Sequence, residues 1–158
     1  MSDWNTGHGL DFHARTRQTE EWLADMLGCR VVRSPDQYDR VDVKLCQRGI
    51  VMAHLETKCR ALSPAQVARF GDIYLSKKKV DEGLRRSRRD GVPFLFMAPL
   101  WKFSAVYLWQ VTRADGSPRL TWREELRRMK NTCNDDSTKE DTVALFGVAD
   151  AVVTEIPT

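Results

Sequence analysis

Residues 41–59 alternate in polarity, and that pattern constrains the chain more than any other feature of it. Val41, Val43 and Leu45 point one way, Asp42 and Lys44 the other, and after Gln47-Arg48-Gly49 the alternation resumes from Ile50 to Cys59. A period of two over such a length argues for paired, half-buried strands. A three-residue connection ending in glycine suits a hairpin with a bulge. With the loop at 47–49, Cys46 faces Ile50 and Asp42 stands opposite His54. Opposed residues share a face of the sheet, as do residues two apart on one strand. Asp42, Lys44, Met52, His54, Glu56 and Lys58 then crowd one side, while Val41, Val43, Leu45, Val51, Ala53, Leu55 and Thr57 form the core side. An apolar face of this kind needs another layer to cover it.

The rest of the chain supplies candidates. A helix is expected from Ala14 to Leu27, with Trp22, Leu23, Met26 and Leu27 as its apolar stripe and Gly28 as its stop. A β-rich run, Cys29 to Val32, and a loop at 34–39 precede the hairpin. Ser63-Pro64-Ala65-Gln66 carries a capping box, and Ser76 opens a basic helix, Lys77 to Arg89, that Gly91 ends. Strands are expected at Val92–Ala98 and Ser104–Val111, with a turn at Asp115–Pro118. Thr121 with Glu124 predicts a capped helix to Lys130, a polar loop fills 131–141, and Val143–Ile156 supplies one or two strands. The order α-β-β-β-α-α-β-β-α-β describes an α/β domain, a central mixed sheet flanked by helices. No repeat or long linker divides the 158 residues, which read as one domain with a core at about 14–111 and a helix-and-strand extension at 112–158.

Aliphatic and aromatic residues make up 42% of the chain, which argues against disorder. Cys29, Cys46, Cys59 and Cys133 form no C-x-x-C pair, so neither structural zinc nor a disulfide framework is expected. No apolar run reaches the ~20 residues of a membrane span, and a cytoplasmic, soluble protein is expected. A net charge of +3 is too small to name a partner, so the placement of charge matters more.

The polar side of the hairpin carries chemistry. Two carboxylates, Asp42 and Glu56, repel one another unless a cation sits between them, and hard oxygen donors suit Mg²⁺ or Mn²⁺. Such a metal activates water and stabilises charge on a phosphoryl group. A nearby lysine such as Lys58 stabilises developing charge or positions the attacking water.

Asp42 on one strand, followed by Glu56-Thr57-Lys58 on the next, resembles the PD-(D/E)XK nuclease superfamily over roughly residues 14–111. That superfamily includes restriction endonucleases, Holliday junction resolvases and many phage and repair nucleases, and the chain is most similar in flavour to small resolvase-like or phage members. The resemblance implies a restriction-endonuclease-like fold, metal binding by Asp42 and Glu56, and assistance to attack by Lys58. It further implies Mg²⁺ (with Mn²⁺ substituting), DNA as the partner, and dimerisation for two-strand cleavage. Val41 stands where the family usually has proline. Pro35-Asp36 is the alternative first acid, but it lies in a turn-like stretch that needs no catalytic explanation. Many members add an acid from the first helix, and Glu20, nearer the apolar stripe than Glu21, fits that role. Two solvated glutamates at a helix start are the other reading.

Around these residues the choices are broader. His54 can touch metal or substrate, or be a hydrogen-bonded spectator. Gln66 fits a glutamine motif after Glu-x-Lys, and it fits helix capping equally. Lys77, Lys78, Lys79, Arg85, Arg86 and Arg89 can grip phosphates or form a solvated face, and similar sequences point one lysine, here Lys79, into the site. Trp101, Phe103, Tyr107 and Trp109 are expected in the core rather than stacked on bases. The expectation is a metal-dependent endonuclease that reads structure or ends rather than sequence. The alternative is a catalytically inactive module of the same fold that binds nucleic acid or a protein.

Overall fold

The structure, a computed structural model, describes residues 9–33, 43–130 and 138–158. Three helices run Gly9–Met26 (α1), Pro64–Phe70 (α2) and Lys77–Asp90 (α3). Nine strands run Arg30–Arg33 (β1), Val43–Gln47 (β2), Ile50–Thr57 (β3), Asp72–Ser76 (β4), Phe94–Pro99 (β5), Ala105–Gln110 (β6), Arg123–Lys130 (β7), Thr138–Gly147 (β8) and Val152–Glu155 (β9). They form a six-stranded sheet ordered β1-β2-β3-β5-β6-β9 and a three-stranded sheet ordered β4-β8-β7. Among the described strands only β3 and β5 pair in parallel, and a parallel pair needs a long crossover. Here the crossover is α2, β4 and α3. The architecture is the expected restriction-endonuclease-like α/β fold.

The hairpin differs from expectation in one detail. Its loop is two residues, Arg48 and Gly49, both with positive φ (52° and 78°), so Gln47 pairs with Ile50. Such a turn matches the twist of its strands. The bulge lies instead within the ladder, between Leu45 and Cys46, and it places Lys44 rather than Asp42 opposite His54. Turn and bulge each move the register by one, and beyond the bulge the slip of two keeps Val43 to Leu45 and Ala53 to Leu55 on their predicted faces.

Val43, Leu45, Ala53 and Leu55 pack with Leu23 and Ala24 of α1 and with Met97, Val106 and Ile156. The opposite face is not an open polar patch. There Phe94, Phe96 and Trp109 pack with Val80 of α3 and with Ile73, Leu75, Ala144 and Phe146 of the small sheet. His54 and Glu56 are consequently fully buried. Gly83 makes the close approach of α3 to β5 feasible, since a Cβ there would lie 2.5 Å from Phe94 Cδ2 and Cζ.

Two elements depart from the sequence reading. Asp72–Ser76, placed between two helices, is strand β4, with Ile73 and Leu75 in the core. The capped helix expected at 121–130 is strand β7, paired with β8 from Arg123↔Leu145 to Lys130↔Thr138. Leu126 is 63% exposed in this strand, and the pairing offered by the edge of β8 outweighs the segment's local helix signals. α2 has the expected capping box, with Gln66 N donating to Ser63 Oγ at 3.2 Å and Ser63 N to Gln66 Oε1 at 2.8 Å. Tyr107 and Trp109 are in the core as expected, whereas Phe103 is exposed. Cys29, Cys46 and Cys59 are free thiols. No described helix is long and apolar enough to cross a membrane.

Candidate active site

Glu56 lies near the end of β3, beside Phe96 of β5, with its carboxylate out of water. A buried carboxylate is costly unless a cation and hydrogen bonds compensate it. Lys79 provides the cation, its Nζ donating to Glu56 Oε1 at 2.7 Å. The helix start explains the reach: α3 begins at Lys77 directly after β4, so its first turn lies over β3. Lys79 is 22% exposed, which puts one side of the pair within reach of solvent.

The β3–β5 ladder runs on past the strand's end. Lys58 N donates to Met97 O and Arg60 N to Pro99 O, each at 2.9 Å. Residues two apart on extended chain share a face, so Glu56, half-buried Lys58 and Arg60 form one row. The sequence reading found the first two of these and passed over Arg60. Its signal was the same alternation, carried one step further.

His54, two residues before Glu56, approaches Asp90 at the end of α3, with Nε2 to Oδ2 at 2.6 Å. Its Nδ1 is buried with no partner among the described residues. Burial pushes its pKa down, and the bond to Asp90 opposes that without overturning it. The geometry agrees: a neutral ring donates from Nε2 to the carboxylate, whereas a protonated ring would bury an unanswered Nδ1–H. Hydrogen bonds from Arg89 above all, and from His54, hold Asp90 well below the usual carboxylate range. The His54–Asp90 bond thus clamps the far end of α3 to β3 while Lys79–Glu56 clamps the near end.

Glu20 is fully buried on α1 and accepts a charge-assisted hydrogen bond from Arg33 of β1, while Glu21 is exposed. Asp42 and the alternative first acid Asp36 lie outside the described residues, as does Cys133. Among the described residues no three His, Cys, Asp or Glu side chains cluster as a metal site.

Most of the basic residues on α3 already have carboxylate partners. Lys77 bonds Asp81 at 2.8 and 3.0 Å, and Arg86 bonds Glu82 at 3.0 Å. Arg89 bonds Asp90 at 2.9 Å. Arg85, then Arg86, hold Glu82 down to about 2. Of the six cations singled out on this helix, Lys78 alone has no ion pair among the described residues. A cleft of about 540 Å³ beside Arg15, Gln18, Trp101 and Lys102 is lined by none of the site residues.

No curated protein matches the chain. A family model described as "Phage putative PDDEXK endonuclease" matches residues 11–115, two thirds of the 158, and these include β2, β3 and the Glu56-Thr57-Lys58 run. The chain belongs to that PD-(D/E)XK endonuclease family.

Proposed function

We propose that the protein is a metal-dependent endonuclease that hydrolyses phosphodiester bonds in DNA through Asp42, Glu56 and Lys58. The observation that carries this reading is the Glu56 carboxylate, buried and charge-balanced by Lys79 at 2.7 Å, two residues before Lys58 on one strand face. The donor chemistry fits a divalent cation. Mg²⁺ takes one or two carboxylates and keeps several waters, so Glu56 with Asp42 would suffice to hold it. Asp42 immediately precedes Val43, whose partner Leu55 immediately precedes Glu56. When bound, Mg²⁺ or Mn²⁺ supplies Lewis-acid stabilisation of the phosphoryl oxygens and a more acidic water.

The chain's own residues do the rest. Lys58 presents an ammonium beside Glu56 and donates to the phosphoryl oxygen on which charge develops, or orients the attacking water. Lys79 fixes one carboxylate oxygen of Glu56, so the other is aimed before substrate arrives. Glu20, buried on α1 and bonded to Arg33, is the candidate additional acid. No base-reading motif is present, so the reading is a nuclease of structures or ends, acting as a dimer where both strands are cut.

The test is cleavage of supercoiled plasmid, linear duplex, single strand, four-way junction and RNA with Mg²⁺, Mn²⁺ or EDTA. Metal-dependent cutting that Lys58→Ala and Glu56→Ala both abolish is the expected result. Wild type that binds DNA as both variants do and cuts nothing would overturn it.

A further inference from the structure

Arg60 is the third member of the Glu56–Lys58–Arg60 row, about 13 Å beyond Glu56 at roughly 3.3 Å per residue. That distance spans roughly four base steps of a duplex rising about 3.4 Å each. The Arg60 guanidinium lies over the Tyr74 ring, 4.2 Å from its centroid, and Nη2 donates to the Tyr74 carbonyl oxygen. Among the described residues its buried Nε has no hydrogen-bond partner, and no carboxylate lies within ion-pair distance of it. Burial lowers its pKa, with the charges of Tyr74, Cys59 and Glu56 opposing. A desolvated guanidinium without a counter-ion is an expensive thing to keep unless an anion is meant to reach it.

The surroundings fit such an anion. Arg60 lines a cleft of about 310 Å³ with Phe70, Asp72, Tyr74, Arg123 and Arg127. Arg127 also lies over the Tyr74 ring, at 5.3 Å, so two guanidiniums share one aromatic platform. Arg123 is 74% exposed and bonds Asp72 at 3.1 Å, and Arg127 bonds Glu125 at 3.3 Å, so each presents to an anion only the donors that its carboxylate leaves over. Phe70 at the rim is 54% exposed. Planar guanidinium forks match phosphate oxygens, and the exposed Phe70 ring, with the Arg69 guanidinium 5.5 Å from its centroid, offers a stacking surface for a base.

We propose that this cleft is a phosphate subsite that seats the nucleic-acid strand beside the reacting centre, with Arg60, Arg123 and Arg127 on the backbone and Phe70 under an adjoining base. The inference rests on the nuclease reading and adds where the strand runs: from Glu56 along the row toward the small sheet.

The test uses the full chain in EDTA, which prevents cutting, with a fluorescently labelled 20-nucleotide single strand and its duplex across a range of NaCl. Arg123→Gln and Arg127→Gln each weaken binding about tenfold, the loss of one charge-assisted hydrogen bond. Each also flattens the salt dependence by about 0.7–0.9 in log–log slope. Both residues are on the small sheet's surface, which keeps the test independent of any folding defect in Arg60→Gln. In cutting assays the same variants raise KM and leave kcat nearly unchanged, as loss of uniform binding does. Arg17→Gln, an exposed charge on α1, keeps wild-type affinity and slope; an equal loss there would reduce the effect to net charge and overturn the subsite. Wild type that cuts DNA while both cleft variants bind and cut like it overturns the subsite alone. Wild type that binds neither probe and cuts nothing with Mg²⁺ or Mn²⁺ overturns subsite and nuclease together. Binding through the cleft without any cutting upholds the subsite and removes the nuclease reading.

Discussion

Replacing Gly83 by alanine tests how tightly α3 is seated over the site. An ideal Cβ at that position would lie 2.5 Å from Phe94 Cδ2 and Cζ, with Cε2 closer still, where ordinary contact begins at 3.4 Å. Phe94 is fully buried among Val80, Phe96 and Trp109, so its ring has no free side toward which to retreat. Accommodating the methyl therefore requires α3 to lift by about 1 Å. Overpacking of this severity costs toward the upper end of ~1–3 kcal/mol, about 3. Alanine regains about 1 kcal/mol of helix propensity over glycine. The balance is a destabilisation of about 2 kcal/mol, or a fall of about 1 M in the urea midpoint at a slope near 2 kcal/mol/M. The same lift draws Lys79 away from Glu56, so cleavage falls further than stability alone would require. Equilibrium urea unfolding followed by Trp fluorescence measures the first effect. A midpoint at or above wild type would refute the reasoning, because propensity alone predicts a gain.

Three further outcomes follow from the same geometry. Lys79→Met removes the ammonium from a fully buried carboxylate and destabilises the fold by roughly 3 kcal/mol, the lower end of the range for breaking a buried pair; adding Mg²⁺ restores the urea midpoint of this variant more than that of wild type, because the cation takes over the lost charge. Glu56→Gln lowers kcat by about 10²–10³ at saturating metal, measured on plasmid nicking, and excess EDTA brings wild type to the same floor. His54 has a folded pKa below its unfolded value of about 6.5, so its contribution to stability is complete above that pH and is lost as pH falls toward the folded value. Urea midpoints taken from pH 8 to 5 decline below about 6.5 for wild type and are flatter for His54→Gln, and a wild-type midpoint that rises on acidification contradicts the neutral, buried histidine.

How much of this was legible in the sequence depends on the range of the determining interaction. The β2–β3 hairpin was legible because its alternation is local, and its faces survived a wrong loop length because turn and bulge erred together. The start and end of α3 were legible for the same reason, since Ser76 and Gly91 mark them. β7 was not, because Thr121 and Glu124 spell a helix cap while the pairing that wins is supplied by β8. Nor was the burial of His54 and Glu56. The layer that covers them comes from residues 77–90, across the crossover, and period-two alternation states only which residues share a face, not what lies over it. Asp90 went unnoticed because it is 36 residues from His54 and reads alone as a helix-terminal acid.

The small sheet is more than a lid. Its strand β4 delivers the chain directly into α3, so Tyr74, under Arg60, and Lys79, on Glu56, are separated by only a few residues spanning one strand-to-helix junction. A displacement of β4 therefore moves the carboxylate's partner and the arginine's platform together. On α3 itself, by contrast, Lys77, Arg85, Arg86 and Arg89 bond Asp81, Glu82 and Asp90, which makes the helix a rigid strut with a residual positive field rather than an adaptable grip. Such a field steers a polyanion toward the site without fixing its register. Register needs groups whose donors are unanswered until the ligand arrives. In the described structure that condition is met at Arg60 Nε, and its place in the row after Glu56 and Lys58 would join strand capture to the proposed cleavage centre.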